Sequence, residues 1–131
     1  MGIEFFGAQD NPCAIVIRHS ARAENIEFFS PMHFPQQVGL MSRPSGYLVP
    51  SHVHNEVLRE IKLTQEVLMI RKGRCEVTLY EEVSEPTRIE LGIGDVILLA
   101  FGGHSIKMLE DCEILEVKQG PYLGPNDKTF I

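Results

Sequence analysis

Residues 66–82 read EVLMIRKGRCEVTLYEE and carry the pattern of two β-strands separated by a short turn. In the second half, Cys75, Val77 and Leu79 alternate with polar residues, which is the period-two pattern of a strand with one buried face. The Lys72–Gly73 pair between the halves is typical of a tight turn, because glycine adopts positive φ at low cost. The stretch therefore predicts two strands around a turn.

Runs of the same kind recur along the chain from about residue 37 onward. Seven such runs follow one another at intervals of about ten residues, and most are separated by Gly, Pro, Asn or Asp. The run DVILLAF at residues 95–101 is apolar after its first residue, as expected for a strand buried on both faces. Earlier in the chain, CAIVIR and IEFFS predict further strands, whereas residues 55–64 fit either a short helix or a loop. We therefore predict an all-β sandwich or barrel.

The composition excludes several classes of protein. A chain of 131 residues suits one domain, and its net charge of −6 argues against binding to nucleic acid. No apolar run reaches the roughly 20 residues of a membrane-spanning helix, and the N-terminus lacks the pattern of a secretory signal. Three widely spaced cysteines without a paired motif fit reduced thiols. We expect a cytoplasmic protein that binds neither nucleic acid nor a membrane.

Two histidines lie one residue apart in GYLVPSHVHNE, residues 46–56. In a strand, positions two apart point to the same face and lie about 7 Å apart, so His52 and His54 would reach the same space. If that face lined an interior, both imidazoles could bind one metal ion. The alternative is a pair of polar side chains on an exposed strand.

Around these histidines the chain resembles the two sequence motifs of the cupin superfamily. The first motif is matched by Gly46, His52, His54, Glu66 and Gly73, and the second by Gly94, Asp95, Gly102 and His104. The resemblance implies a single-domain cupin, which is a double-stranded β-helix or jelly-roll barrel, over residues 37–131. It further implies that residues 1–36 form extra N-terminal strands that pack on the barrel or on a partner subunit.

The resemblance also implies a metal centre whose ligands are His52, His54, Glu66 and His104. Eleven residues separate His54 from Glu66, more than is usual in the family, so Glu56 and Glu60 stay open as alternatives to Glu66. Three imidazoles and one carboxylate suit a divalent transition metal, namely Fe, Mn, Ni, Co or Zn. Such a centre would leave coordination positions open for a substrate.

Residues 115–127, LEVKQGPYLGPND, resemble the stretch that closes the cupin domain of type II mannose-6-phosphate isomerases and related sugar-processing cupins. This resemblance implies a pocket for a small molecule such as a sugar phosphate or nucleotide sugar. Arg43, Arg71 and Lys118 are candidates to supply cations to that ligand. Because the last strand is apolar on both faces, the sequence leaves open whether Lys118 points inward.

The expected function is that of a metal-binding cupin with isomerase or epimerase chemistry. An Fe(II)-dependent dioxygenase and a non-catalytic small-molecule binding module are the alternatives, so the sequence does not decide whether the protein is an enzyme. An apolar lining around the metal would favour the oxygenase, and several polar groups would favour the sugar ligand. Apolar stretches such as IEFFSPMHF, residues 26–34, predict a homodimer because their exposure in a monomer would be unfavourable.

Overall fold

The computed structural model describes residues 2–81 and 84–131, and its regular structure is almost entirely β. The prediction of an all-β chain is therefore confirmed. The strands of the described residues are, in chain order, β1 (Ile3–Ala8), β2 (Asn11–Ile17), β3 (Asn25–Phe28), β4 (Gly39–Ser42), β5 (Glu66–Lys72), β6 (Cys75–Tyr80), β7 (Thr87–Leu91), β8 (Val96–Leu99), β9 (Gly103–Met108) and β10 (Glu113–Lys118). A single 3₁₀ turn, Gly124–Asp127, follows them. No helix among these residues is long and apolar enough to cross a membrane.

The strands form two larger sheets and one separate pair. The five-stranded sheet has the order β1-β2-β8-β5-β10, and the three-stranded sheet has the order β7-β6-β9. All neighbouring strands are antiparallel, and β3 pairs only with β4, forming a two-stranded unit that we call the ribbon. Because β1 and β2 belong to the same sheet as β8, these N-terminal strands extend the five-stranded sheet. The division into residues 1–36 and 37–131 stays a prediction.

A continuous apolar core fills the space between the two larger sheets. Alternate residues of β2, β5, β6, β7 and β8 supply it, as the period-two patterns predict. Its members include Ala14, Val16, Leu68, Ile70, Cys75, Val77, Leu79, Ile89, Leu91, Ile97 and Leu99. Full burial of one such large side chain contributes about 1.5–3 kcal/mol, so this layer is the main source of stability.

A second apolar cluster covers the outer face of the five-stranded sheet. Ile15 of β2 and Leu98 of β8 point to this face, and Phe34 packs on them from the loop that follows the ribbon's first strand. Strand β8 is therefore buried on both faces, which confirms the expectation from its unbroken apolar sequence.

Arg18 ties the N-terminal strands to the turn between β7 and β8. Its guanidinium donates hydrogen bonds to the Glu4 carboxylate at 2.5 Å, to the Glu90 carbonyl at 2.7 Å and to the Asp95 carboxylate at 3.2 Å. The hydrogen bond with Glu4 is the largest reason that the pKa of Arg18 is raised. These contacts fasten both sheets together at one corner.

The turn between β5 and β6 presses against the turn between β9 and β10. Gly73 has a φ of +79°, as the sequence predicts for this turn. A Cβ atom at this position would collide with the backbone carbonyl of Asp111. This end of the molecule is therefore packed backbone against backbone.

Residues 43–64, which we call the arm, contain turns and bends but neither strand nor helix. Every residue of the arm except Arg43 is exposed. GYLVPSHVH, residues 46–54, is one of the runs that predicted strands from residue 37 onward, and this prediction is wrong, because no strand of the described residues pairs with its backbone. Of the two interpretations of residues 55–64, the loop is confirmed.

Candidate functional site

His104 and Glu66 face each other in the space between the two sheets. His104 lies near the start of β9, opposite the buried Leu79 of β6, and Glu66 is the first residue of β5. The two side chains are 32% and 17% exposed, and His104 Nε2 lies 3.9 Å from Glu66 Oε2. The structure therefore brings together two of the four predicted metal ligands, from different sheets.

Strand β10 adds two further charged side chains to the same space. In the register of β10 with β5, Lys118 is opposite Glu66 and Glu116 is opposite Leu68. Directly opposed residues share a face, and Leu68 belongs to the core, so Glu116 and Lys118 both point inward. We call Glu66, His104, Glu116 and Lys118 the inner-face cluster.

The charges of the inner-face cluster act on Glu66 in opposite directions. Burial is the largest influence and raises the pKa of Glu66, and the negative charge of Glu116 raises it further. The positive charges of His104 and Lys118 lower the pKa, but by less. The net shift is upward, as is typical of a carboxyl group in a partly dry binding site.

A cleft of about 720 Å³ opens beside the cluster. The cleft extends around the edge strand β9 to Tyr80 and Ser105, which lie on the outer face of the three-stranded sheet, opposite to the face of His104, and whose hydroxyl oxygens are 3.2 Å apart. The C-terminal residues 128–131 form another wall. Just before them, Asp127 Oδ2 lies 4.0 Å from Lys118 Nζ.

The predicted ligands on the arm do not reach this cleft. His52 and His54 are both exposed, and their ring centroids are 5.2 Å apart. Glu56 and Glu60 are exposed on the same segment. Within residues 2–81 and 84–131, no three His, Cys, Asp or Glu side chains gather closely enough to hold a metal ion.

One ring nitrogen of His52 has a hydrogen-bond partner within the arm. Its Nδ1 lies 2.7 Å from the Pro50 carbonyl oxygen, which only accepts hydrogen bonds, so Nδ1 carries the proton. Nε2 is then the atom that would bind a metal.

The three predicted substrate-binding cations occupy different places. Arg43 is at the root of the arm, where it donates to Asn25 Oδ1 at 2.9 Å and lies over the Tyr47 ring at 4.4 Å. Arg71 is on the outer face of β5, 3.4 Å from the Glu113 carboxylate. Only Lys118 is in the inner-face cluster.

Sequence reasoning missed Glu116 and the hydroxyl pair of the cleft. The alternation in EILEVK, residues 113–118, contains the signal for Glu116, because Glu116 and Lys118 share a face. Which face is inner became clear only from the pairing of β10 with β5.

Comparison with known proteins adds no family to these observations. No protein-family model, no curated protein and no solved structure matches the chain. A functional proposal therefore rests on the side chains described above.

Proposed function

We propose that the chain is a cupin-type protein that binds a small polar molecule in the cleft beside the inner-face cluster. The observation that carries this proposal is the approach of His104 Nε2 to Glu66 Oε2, 3.9 Å apart, from two different sheets. Ionisable groups that converge in a cleft beside an apolar core are the usual mark of a binding site. The cupin-like motifs supply both of these residues.

The polarity of the cleft favours a sugar derivative over an oxygenase substrate. Thr129 lines the cleft at its C-terminal wall, and Tyr80 and Ser105 line it from the outer face of the three-stranded sheet, which suits a ligand rich in hydroxyls that extends around the edge of β9. Lys128 lines the cleft and Lys118 lies in the adjoining cluster, so ammonium groups are available for a phosphate. We therefore favour a sugar phosphate or nucleotide sugar as the ligand class.

The chemistry that this arrangement supports is of the isomerase or epimerase type, in which a proton moves between neighbouring atoms of the substrate. His104 and Glu66 each can hold or release a proton at hydrogen-bond distance from a bound hydroxyl. Lys118 would orient an anionic group of the ligand.

A divalent transition metal fits this site only in part. An imidazole and a carboxylate suit Fe, Mn, Ni, Co or Zn, and His104 and Glu66 are near enough to serve as two ligands. The other two proposed ligands, His52 and His54, are on the exposed arm. The four donors of one chain, as arranged here, therefore do not form the complete centre.

Metal content and ligand-induced stabilisation test this proposal. We expect His104→Ala and Glu66→Gln to retain less Zn²⁺ than the wild-type protein after loading and removal of excess metal, because these are the two donors that lie together. His19→Ala is the matched control, because His19 is an exposed histidine that packs over Gly94. Elemental analysis measures the metal.

A thermal-shift screen of sugar phosphates and nucleotide sugars tests the ligand class. At a concentration of about 100 times Kd, a bound ligand adds about 2.7 kcal/mol to the stability. A wild-type protein that holds no Zn²⁺ and is stabilised by no compound of either class would contradict the proposal.

A further inference from the structure

Residues 128–131, which we call the strap, lie across the cleft beside the inner-face cluster. They follow the 3₁₀ turn Gly124–Asp127 and belong to neither a strand nor a helix. The strap forms one wall of the cleft, and the lining of the cleft also includes Glu66 and His104. A ligand that reaches these two side chains therefore shares the cleft with the strap.

The strap covers the cleft but is hardly packed against the body. Phe130 is 92% exposed and Ile131 is 91% exposed. The end of the Ile131 side chain lies against the backbone of Gly103, at the start of β9, where an added Cβ atom would collide with Ile131 Cδ1. Because little apolar surface of the strap is buried, hydrophobic burial contributes little to keeping it in place. A segment with few buried contacts opens at a low cost in free energy.

An ion pair holds the root of the strap. Asp127, the residue directly before the strap, has its Oδ2 atom 4.0 Å from Lys118 Nζ, and we call this pair the latch. The two side chains are 15% and 27% exposed, so salt screens the latch less than a pair on the open surface. Within residues 2–81 and 84–131, no other ion pair ties residues 119–131 to the sheets.

Lys118 belongs to the latch and to the inner-face cluster at the same time. In the register of β10 with β5 it is opposite Glu66. Its ammonium group also lies 5.8 Å from the centroid of the Tyr122 ring, in the segment that leads to the strap. An anion that binds in the cluster therefore competes with Asp127 for the same ammonium group.

We propose that the latch holds the strap across the cleft in the free protein, and that an anionic ligand opens the cleft by taking Lys118 from Asp127. This inference rests on the proposed function, because it describes how a ligand enters that site. It makes the strap a gate that responds to the charge of the ligand.

A phosphate group competes well with Asp127 for Lys118. Direct contacts between an ammonium group and an anionic oxygen are about 2.7–2.9 Å long, whereas the latch measures 4.0 Å. A phosphate group also has about two negative charges near neutral pH and several acceptor oxygens, against the single charge of Asp127. The latch therefore opens for an anionic ligand and stays closed to a neutral one.

Lys128 makes this exchange of partners more favourable. It follows Asp127 directly, lines the cleft and leaves the 3₁₀ turn in an extended conformation. An anion in the cleft attracts Lys128 while it displaces Asp127. Lys128 then stays beside the ligand, and Phe130 and Ile131 move away from β9.

A disulfide that locks the strap tests this inference. In the double variant Gly103→Cys/Ile131→Cys the two thiols can be joined, because the Ile131 side chain already reaches the position of a Cβ atom at residue 103. Isothermal titration calorimetry with inorganic phosphate, the anionic group alone, measures Kd for the oxidised and the reduced protein. We expect oxidation to raise Kd at least about tenfold and reduction to restore it. Ile131→Cys alone, treated with the same oxidant, is the matched control and should show no such change.

A Kd that is the same in the oxidised and reduced double variant would overturn the inference, because the strap would then be a fixed wall of the cleft. A wild-type protein that binds no inorganic phosphate would also overturn it, since no anion would then take Lys118. Circular dichroism verifies that both forms of the double variant are folded.

The rate of disulfide formation tests the latch without a bound ligand. Asp127→Asn, added to the double variant, should slow disulfide formation at least about threefold, because a strap without its latch spends less time beside β9. Asp10→Asn is the matched control, because it removes the same charge from the exposed turn between β1 and β2. Inorganic phosphate should slow the reaction as Asp127→Asn does, and chloride at the same ionic strength should not. Equal rates with Asp127→Asn and with Asp10→Asn would overturn the latch.

These measurements separate failure of the latch from failure of the proposed function. If inorganic phosphate binds and slows disulfide formation, but no sugar phosphate or nucleotide sugar stabilises the protein, the proposed ligand class fails and the latch stands. If a sugar phosphate stabilises the oxidised and the reduced double variant equally, the latch fails and the proposed function stands.

Discussion

Strand β8 and the arm both contain large apolar side chains, yet those of β8 are buried on both faces and those of the arm are exposed. Ile97 and Leu98 of β8 are fully buried, whereas Leu58 of the arm is 95% exposed. Strand β8 has β2 on one side and β5 on the other, so its backbone groups are paired in both directions. In residues 2–81 and 84–131, no strand pairs with the arm. Apolar content predicts a preference for burial, but a neighbouring strand determines whether burial occurs.

Limited proteolysis should show the largest difference between these regions. In dilute, chelator-treated protein, trypsin should cut after Arg59 and Lys62 at least about a thousandfold faster than after Arg18, because cutting at Arg18 requires global unfolding. Mass spectrometry of a time course identifies the sites. Slower cleavage of the arm at high protein concentration would show that the arm contacts another chain. Equal cleavage rates at the arm and at Arg18 at low concentration would show that the arm is as well protected as β2.

Truncation of one side chain in each region should show the next largest difference. Leu98→Ala is expected to lower the free energy of unfolding by about 2–5 kcal/mol, because it leaves a cavity between β8 and Phe34. Leu58→Ala, measured at a concentration where the chain is monomeric, should change it by less than about 0.5 kcal/mol. Urea denaturation provides both values. Similar losses in the two variants would show that the arm packs on its own body.

The smallest expected effect concerns a buried thiol of β2. Burial, followed by a hydrogen bond to Glu81, raises the pKa of Cys13 from 9.0 to about 11. The folded state therefore holds this proton where the unfolded state has lost it, so stability should fall as pH rises from 9.0 to about 11. Stability should fall less steeply in Cys13→Ala over this interval.

Urea denaturation at several pH values measures the two slopes. Because lysines and tyrosines also titrate in this range, only the difference between wild type and variant reports on Cys13. Identical slopes would show that this end of β2 is more accessible to water than β8.

The sequence predicted those strands whose own apolar pattern indicates which of their faces are buried. The alternation of Cys75, Val77 and Leu79 predicted β6, and the unbroken apolar run predicted β8. Strand β1, Ile3–Ala8, was not predicted because its burial alternates only weakly. Residues 46–54 also contain apolar side chains, but no strand among the described residues pairs with them, and a segment read alone does not reveal whether a partner strand is present.

The candidate site could also be predicted only in part from the sequence. The motif positions placed Glu66 and His104 in one site, and the structure has them 3.9 Å apart. Lys118 could not be assigned to a face, because Ile114 and Leu115 point to opposite sides of an apolar strand. Arg71 could have been excluded by parity, since odd-numbered residues of β5 point away from Glu66.

The packed turn at Gly73 has a consequence for how this protein can change over evolutionary time. Strand β5 begins at Glu66 and ends beside Gly73, so roughly 20 Å separates the cleft from the end where backbone touches backbone. Substitutions around the cleft can therefore alter its lining without straining that contact. We therefore expect substitutions to be tolerated at one end of β5 and to be restricted at the other.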